Sequence, residues 1–251
     1  MVFVSQKGYA MKLVERFGQE KSKTRMTPLD FDTKLKREEG SLLLGSRPYR
    51  ALVGSLLYLT ITRPGISFSV GFISRFLSSP RKDHLEAAKK ILKYINATQD
   101  MGLLFKKNAE FSFIGYTDVY FGGDLDDRRS TSGYVFFCGG TVVSWCNKKQ
   151  ASVSLSTTEA EYKAAALATQ EGVWLHIFIE DLHLPIAKTI AIFEDNQSAI
   201  KLATNPVCHA RTKHIELEHQ FIREKVLDGT ISTLEVRSQE NIADIFTMRC
   251  M

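Results

Sequence analysis

Four carboxylates lie where the sequence predicts the end of a strand, the buried side of a helix or the first turn of a helix: Asp118, Glu161, Asp195 and Asp244. Carboxylates that come from separate elements and meet at one edge of a sheet can bind Mg²⁺, which prefers hard oxygen ligands. Two such ions, about 3.5–4 Å apart, activate water and stabilise the leaving oxygen in the hydrolysis of a phosphodiester. The residue types therefore indicate metal-assisted hydrolysis, provided that the fold brings these residues together.

The second half of the chain contains the elements that must position these carboxylates. Short apolar segments over 111–118, 133–138 and 141–146 predict strands, and Gly139-Gly140 predicts a hairpin turn between the last two. The elements predicted after them are a helix from Thr157 to about Ile179, a strand over Thr189–Glu194, helices over Gln197–Ala203 and Lys213–Val226, a strand over Ile231–Val236, and a last helix that begins in NIADIFT. This order predicts an α/β fold in which helices flank a mixed sheet of five strands.

The long helix contains two glutamates near its start, and their neighbours distinguish them. Ser156 followed by Glu159 fits a capping box, and Glu159 also precedes Lys163 by four positions, a favourable helical pair. Glu161 instead shares its side of the helix with small residues, namely Ala164, Ala165, Ala168 and Gly172. A carboxylate on such a close-packing side is unfavourable to bury unless it is paired or binds a metal. We therefore prefer Glu161 for the chemistry.

Each of the other three carboxylates has a structural alternative. Asp118 can simply start a turn at the end of its strand. Asp195 can be the N-cap of the helix that follows it, and its neighbours favour both roles equally. Asp244 can interact with the dipole of the last helix. The hypothesis of a metal site depends on all four carboxylates in this element order, since none of them indicates it alone.

The first half of the chain is predicted to be helical. Tyr9, Leu13 and Phe17 lie on one side of a short helix, and Gly18 is suited to end it. Residues 19–45 are polar and weakly periodic, which predicts a linker. In the segment that follows, two prolines at positions 64 and 80 separate three predicted helices that end near residue 99.

The charge of the chain is unevenly distributed. Residues 1–110 contain 20 Lys and Arg against 10 Asp and Glu, whereas residues 111–251 contain 13 against 18. A basic half can bind a polyanion such as nucleic acid, and an acidic half can collect divalent cations. Two ordinary solvated surfaces explain the same charges equally well.

The sequence predicts an intracellular protein, cytoplasmic or nuclear rather than secreted, with no membrane partner. The first ten residues lack the apolar core of a signal peptide, and the longest apolar segment, 51–61, is too short to span a bilayer. The 4 cysteines contain no CxxC pair, which favours reduced thiols over a disulfide framework.

Several motifs resemble one protein family. The segments YTD, DLDDRRSTSGYVFF, LSTTEAEY, EDNQSAI, HARTKHIELEHQFIRE and NIADIFT, within residues 111–248, resemble the ribonuclease H domain of Ty1/copia-type retrotransposon Pol polyproteins. Upstream, FVSQKGYAMKLVERFG and PYRALVGSLLYLTITRPGISFSV look like the end of the reverse transcriptase and the connecting segment. The resemblance implies a polymerase thumb remnant and linker over 1–45, a helical connection segment over 46–108, and a ribonuclease H-like domain over 109–251.

The resemblance also implies an activity and its residues. The domain would cut the RNA strand of RNA–DNA hybrids, leaving a 3′-hydroxyl and a 5′-phosphate, as part of a polyprotein that also contains the polymerase domain. Asp118, Glu161, Asp195 and Asp244 would be catalytic and would bind two Mg²⁺ ions, for which Mn²⁺ can substitute. The hybrid would contact three polar residues, Ser156, Asn196 and Gln197.

The chain also departs from the family pattern. Val119-Tyr120-Phe121 stands where the family has Ala-Asp-Trp, so a second aspartate is missing. No Tyr-x-Asp-Asp motif occurs, so this chain contains no polymerase site, and its end at Met251 predicts a truncated last helix. These departures leave open an alternative, a catalytically inactive relic that only binds nucleic acid. A transposase or integrase nuclease is disfavoured because no zinc-binding histidine–cysteine module is present.

Overall fold

The computed structural model describes residues 1–107, 109, 111–184, 189–204 and 216–247. At 202–204, 216 and 217 it describes the backbone alone. The chain divides into two compact units, Met1–Phe105 and Lys106–Thr247. The start of the predicted helix at Lys213, and residues 248–251 of the predicted last helix, lie outside the described residues. None of the described helices combines the length and the hydrophobicity needed to span a membrane.

The first unit is mainly helical. Its elements are β1 (Val2–Val4), α1 (Lys7–Arg16), α2 (Arg47–Leu59), a 3-10 turn (Pro64–Ile66), α3 (Ser67–Ser74), α4 (Lys82–Ala97) and β2 (Leu103–Phe105). The helices agree with the predicted order, and Gly18 has the positive φ of 64° that suits a residue just after a helix. Strands β1 and β2 were not predicted; they form an antiparallel pair of three residues each.

One hydrophobic core holds this unit together. The periodicity of α4 predicts a buried side with Leu85, Ala88, Leu92 and Ile95; the last three are buried, and Leu85 is half-buried against the same core. Residues 19–45 contain no helix, as expected for a linker, but Leu29 and Leu35 from this segment are buried in the same core as α4. The segment is therefore packed against the helices rather than solvated along its length.

The second unit is built on a five-stranded sheet. Its elements are β3 (Phe113–Tyr120), β4 (Thr131–Cys138), β5 (Thr141–Lys149), α5 (Thr157–Asp181), β6 (Ile190–Glu194), α6 (Gln197–Thr204), α7 (Glu216–Leu227), β7 (Ile231–Glu235) and two 3-10 turns (Ser238–Glu240 and Ile242–Phe246). The strand order is β5-β4-β3-β6-β7. β3, β4 and β5 are antiparallel neighbours, whereas β6 is parallel to both β3 and β7. This mixed sheet with flanking helices confirms the predicted ribonuclease H-like α/β class.

Local sequence features account for the main elements of this unit. Gly139 and Gly140 both have positive φ, as the tight turn between β4 and β5 requires. Ser156 caps α5 by accepting a hydrogen bond from the Glu159 N–H at 3.1 Å. Gly172 allows α5 to lie close to the sheet, since an added Cβ would be 3.0 Å from the side chain of Ile231. The predicted last helix is instead the 3-10 turn Ile242–Phe246.

Candidate active site

Three of the predicted carboxylates meet at one edge of the sheet. Asp118, Glu161 and Asp195 each offer an oxygen atom, and these atoms all lie within 4.8 Å of one another. The parallel pairing of β3 with β6 places Tyr116 opposite Phe193, so Asp118 and Asp195, two residues further along each segment, are neighbours. α5 brings Glu161 to the same edge. The fold therefore joins residues that are 77 positions apart in the sequence.

Asp195 is free to take part in this cluster because Asn196 caps the following helix. The Asn196 Oδ1 accepts hydrogen bonds from the N–H groups of Ser198 and Ala199, at 3.0 and 3.1 Å. An N-cap that satisfies these two donors leaves no capping role for Asp195. The alternative prediction, that Asp195 is the N-cap of α6, is therefore wrong.

Glu161 lies on the small-residue side of α5, as predicted. Ala164, Ala165 and Ala168 on that side are buried, and Glu161 itself is only 8% exposed. Within the described part of the chain, its Oε2 atom is buried without a hydrogen-bond partner. A buried carboxylate oxygen in this condition is unfavourable unless a cation or a proton compensates it.

The fourth carboxylate, Asp244, is positioned by the 3-10 turn. Asn241 fixes the start of this turn: its Oδ1 accepts the Ala243 N–H at 3.1 Å, and its Nδ2 donates to the Thr117 carbonyl of β3 at 2.9 Å. Asp244 is half-buried and lies outside the group of carboxylates within 4.8 Å, but its charge raises the pKa of Asp118. It therefore flanks the cluster on the side of the turn.

Burial and neighbouring negative charges raise the pKa of Glu161, Asp118 and Asp244. Burial raises the pKa of Glu161 to about 10, with further contributions from Asp118 and the other acidic neighbours. The pKa of Asp118 is raised to about 6, chiefly by burial, while a hydrogen bond from Thr247 opposes the rise. Burial and then the charge of Asp195 raise the pKa of Asp244. Mutual repulsion of this kind is typical of acidic groups that share a site.

A fifth carboxylate, Glu194, lies beside the cluster and was not predicted from the sequence. It is 1% exposed, and its Oε1 has no hydrogen-bond partner in the ranges that the structure describes. Burial, followed by the charges of Asp195 and Asp118, raises its pKa well above the ordinary value. Strand alternation was the available signal, because Glu194 continues the buried series of Ile190 and Ile192 in β6.

This site fits a divalent cation. Its potential ligands are carboxylate oxygens, which suit hard cations such as Mg²⁺ or Mn²⁺ better than soft ones. The buried, unpartnered Oε2 of Glu161 and its raised pKa both indicate that the protein supplies no group to compensate the charged form of this carboxylate, which a cation could do. The described residues near the cluster supply no histidine or cysteine ligand to it.

The three predicted substrate-binding residues already have partners within the protein. Ser156 and Asn196 cap α5 and α6, and the Gln197 Nε2 donates to Glu235 Oε1 at 2.6 Å. Gln197 and Ser156 are exposed, whereas Asn196 is half-buried. Their contact with a nucleic acid stays a prediction.

The charged residues Asp124, Asp126, Asp127, Arg128 and Arg129 predict a solvated turn between β3 and β4, but the first of them is buried. Asp124 is only 6% exposed; it accepts the N–H groups of Asp126 and Asp127 and pairs with Lys149 Nζ at 2.5 Å. Burial raises the pKa of Asp124, but these hydrogen bonds outweigh it and hold the pKa at about 2. Asp124 therefore joins the turn to β5 and has a structural role rather than a surface one.

Known proteins align with nearly the whole of this chain. No protein-family model matches the chain. It is 40% identical over 255 residues to the retrovirus-related Pol polyprotein from transposon TNT 1-94 of Nicotiana tabacum, covering 98% of this chain and 19% of that protein. It is 37% identical over 244 residues to the retrovirus-related Pol polyprotein from transposon RE1 of Arabidopsis thaliana, covering 97% and 17%. The chain thus spans less than a fifth of the length of these relatives.

Among solved structures, the chain is similar to RNase H1 from the halophilic archaeon Halobacterium salinarum NRC-1. The likeness covers 54% of this chain and 94% of that one, with 18% identity and a TM-score of 0.40. Because this score is low, the assignment of the second unit to an α/β fold with a mixed sheet depends on its own strand order and not on this likeness.

Proposed function

Since the chain belongs to the family of retrovirus-related Pol polyproteins from Ty1/copia-type transposons, we propose that its second unit is a ribonuclease H that hydrolyses the RNA strand of RNA–DNA hybrids. The observation that carries the proposal is the convergence of Asp118, Glu161 and Asp195 at one sheet edge, with their oxygens within 4.8 Å. Asp244 completes the set from the 3-10 turn.

The four carboxylates would hold two Mg²⁺ ions, for which Mn²⁺ can substitute. When bound, such ions lower the pKa of the attacking water and stabilise the leaving oxygen. The family resemblance implies that Asp118, in the middle strand of the sheet, would contribute its carboxylate to holding both ions. Asp195 and Asp244 would hold the ion beside the water, and Glu161 the ion beside the leaving oxygen.

Without a bound cation, burial favours the protonated form of Glu161 and, to a lesser degree, of Asp118. The raised pKa values of Glu161, about 10, and Asp118, about 6, mean that protons compete with the cation for these oxygens. Cation affinity is therefore expected to rise with pH. Ser156, Asn196 and Gln197 would contact the hybrid, whose minor groove presents 2′-hydroxyls to polar side chains.

The first unit would be the remainder of the reverse transcriptase, with residues 1–45 derived from the thumb and 46–108 from the connection. Residues 1–110 contain 20 Lys and Arg against 10 Asp and Glu, a balance that supports contact with the phosphate backbone. The partners would then be the hybrid and the polymerase domain of the parent polyprotein.

A cleavage assay tests the proposal. The purified chain is incubated with Mg²⁺ and a hybrid whose RNA strand carries a 5′ label, beside an Asp195→Asn variant. The matched control is Asp181→Asn, at the other end of α5 and about 30 Å from Glu161 by helix rise. We expect the wild type and Asp181→Asn to cut the RNA equally, and Asp195→Asn to be inactive.

Equal residual cleavage by the wild type and Asp195→Asn would refute the enzymatic proposal. A gel-shift experiment on the same hybrid then addresses the alternative. A relic that only binds nucleic acid would shift the hybrid without cutting it, with an affinity that falls steeply as salt rises.

A further inference from the structure

Thr247 makes a buried contact with the central carboxylate of the site. It is 0% exposed, and its hydroxyl donates a hydrogen bond to Asp118 Oδ2. The Asp244 carbonyl lies 3.2 Å from the same hydroxyl, which has a single proton to donate. A carboxylate is the stronger acceptor of the two, so the proton is directed to Asp118.

The 3-10 turn places Thr247 and Asp244 on the same side. Side chains three residues apart eclipse in this helix type, and the Thr247 N–H closes the turn on the Asp244 carbonyl at 3.1 Å. One short segment thus presents a potential metal ligand and a hydroxyl that contacts a second potential ligand.

The turn is held firmly against the sheet. The Asn147 Nδ2 of β5 donates to the Phe246 carbonyl at 2.6 Å, and Phe246 is fully buried. Gly133 lies opposite Asp118 in the β3–β4 pair, and a Cβ at Gly133 would be 2.7 Å from the Thr247 Cγ2. The absence of a side chain at Gly133 therefore lets Thr247 approach Asp118.

We infer that Thr247 is a positioning residue, which orients the Asp118 carboxylate for cation binding; this inference rests on the proposed function of the site. The carboxylate of an aspartate rotates over a broad range of χ2. A fixed hydroxyl on Oδ2 selects one orientation and leaves the other oxygen available to the cations. Hydrogen-bond partners of metal ligands typically change metal affinity by about 10-fold to 100-fold when they are lost.

The test is Mn²⁺ binding to the full chain, measured by isothermal titration calorimetry on Thr247→Val and Thr247→Ser. The valine variant keeps the shape and loses the hydroxyl, whereas the serine variant keeps the hydroxyl. Thr233→Val is the matched control, because the Thr233 hydroxyl is buried without a hydrogen-bond partner in the described ranges. We expect Thr247→Val to weaken Mn²⁺ binding by about 10-fold or more, and Thr247→Ser and Thr233→Val to bind within about threefold of the wild type.

A purely structural role predicts a different result: Thr247→Val would melt at a lower temperature and bind Mn²⁺ as the wild type does at a temperature where both are folded. That result overturns the inference, as does a loss of affinity that Thr247→Ser does not restore. If Thr247→Val does not fold, Thr247→Ala removes the same hydroxyl with a smaller side chain and gives the same comparison.

The binding measurement separates this inference from the proposed function. A chain whose Mn²⁺ affinity depends on the Thr247 hydroxyl, but which does not cut the hybrid, keeps the inference and loses the hydrolase proposal. A chain that cuts the hybrid while Thr247→Val binds Mn²⁺ normally keeps the hydrolase and loses the inference. In an active chain, we further expect Thr247→Val to lower kcat and leave KM for the hybrid within about twofold, since only the metal site is altered.

Discussion

Replacing Glu161 with glutamine is expected to stabilise the protein when no divalent cation is present. The folded protein keeps the Glu161 proton up to a pKa of about 10, whereas the unfolded chain releases it near the ordinary value of 4.5. A group whose pKa is raised by folding loses stability as the pH rises between these two values. At about 1.4 kcal/mol per pH unit, the wild type at pH 7 has lost about 3 kcal/mol that a non-titrating glutamine retains.

Urea denaturation in EDTA measures this difference. Both tryptophans of the chain, Trp145 and Trp174, lie in the second unit, so their fluorescence reports its unfolding. We expect Glu161→Gln to raise the urea midpoint at pH 7 by on the order of 1–2 M, and by much less at pH 5. Glu240→Gln, at an exposed position, should leave the midpoint unchanged.

With Mg²⁺ present, the wild type should become more stable than Glu161→Gln. A cation that binds the folded wild type stabilises it by mass action, whereas the variant has lost one of its ligands. A Glu161→Gln variant that is less stable than the wild type in EDTA at pH 7 would refute this account of the cluster. A stability difference that does not change between pH 5 and pH 8 would refute it as well.

Three further substitutions test the contacts that hold the turns and the helix around the site. Gly133→Ala is expected to lower the free energy of unfolding by about 1–3 kcal/mol in thermal denaturation, because the added methyl would lie 2.7 Å from Thr247 Cγ2. Asp124→Asn is expected to lower the free energy of unfolding by about 2 kcal/mol at pH 7, because folding lowers the pKa of Asp124 from 3.8 to about 2. The stabilisation by its charge is present above pH 3.8 and is lost as the pH falls through about 2. Ser156→Ala is expected to cost about 1 kcal/mol of stability, since its hydroxyl caps α5 by accepting the Glu159 N–H.

Each of these expectations has a clear contrary outcome. An unchanged melting temperature for Gly133→Ala would mean that the turn does not need the close approach. A stability deficit of Asp124→Asn that is the same at pH 7 and below pH 3 would remove the role of its charge. A Ser156→Ala variant as stable as the wild type would show that the cap is dispensable, while a raised KM for the hybrid would support its predicted substrate contact.

Local rules predict much of the second unit because its signals are short in range. The capping hydroxyl of Ser156, the Gly139-Gly140 turn and the small-residue side of α5 each depend on residues within about three helical turns. Those rules also identify Glu161 over Glu159. Asp118, Glu161 and Asp195 could be proposed as one site only because the element order implied a common edge of the sheet.

Contacts between distant segments explain what the sequence did not predict. Asp195 and Asn196 are both suitable N-caps by residue type, and only the hydrogen bonds made by Asn196 decide between them. The burial of Asp124 depends on Lys149, which lies 25 residues away, and the contact of Thr247 with Asp118 spans 129 residues. No periodicity or propensity encodes such pairs.

The central claim is that Asp118, Glu161, Asp195 and Asp244 form one two-cation site, and anomalous diffraction from crystals grown with Mn²⁺ tests it most directly. We predict two anomalous peaks that share Asp118 as a ligand, one also bound by Glu161 and the other by Asp195 and Asp244. In crystals of Asp118→Asn, both peaks should weaken or vanish. Peaks found only at other residues of the wild type, or none at this edge of the sheet, would contradict the account.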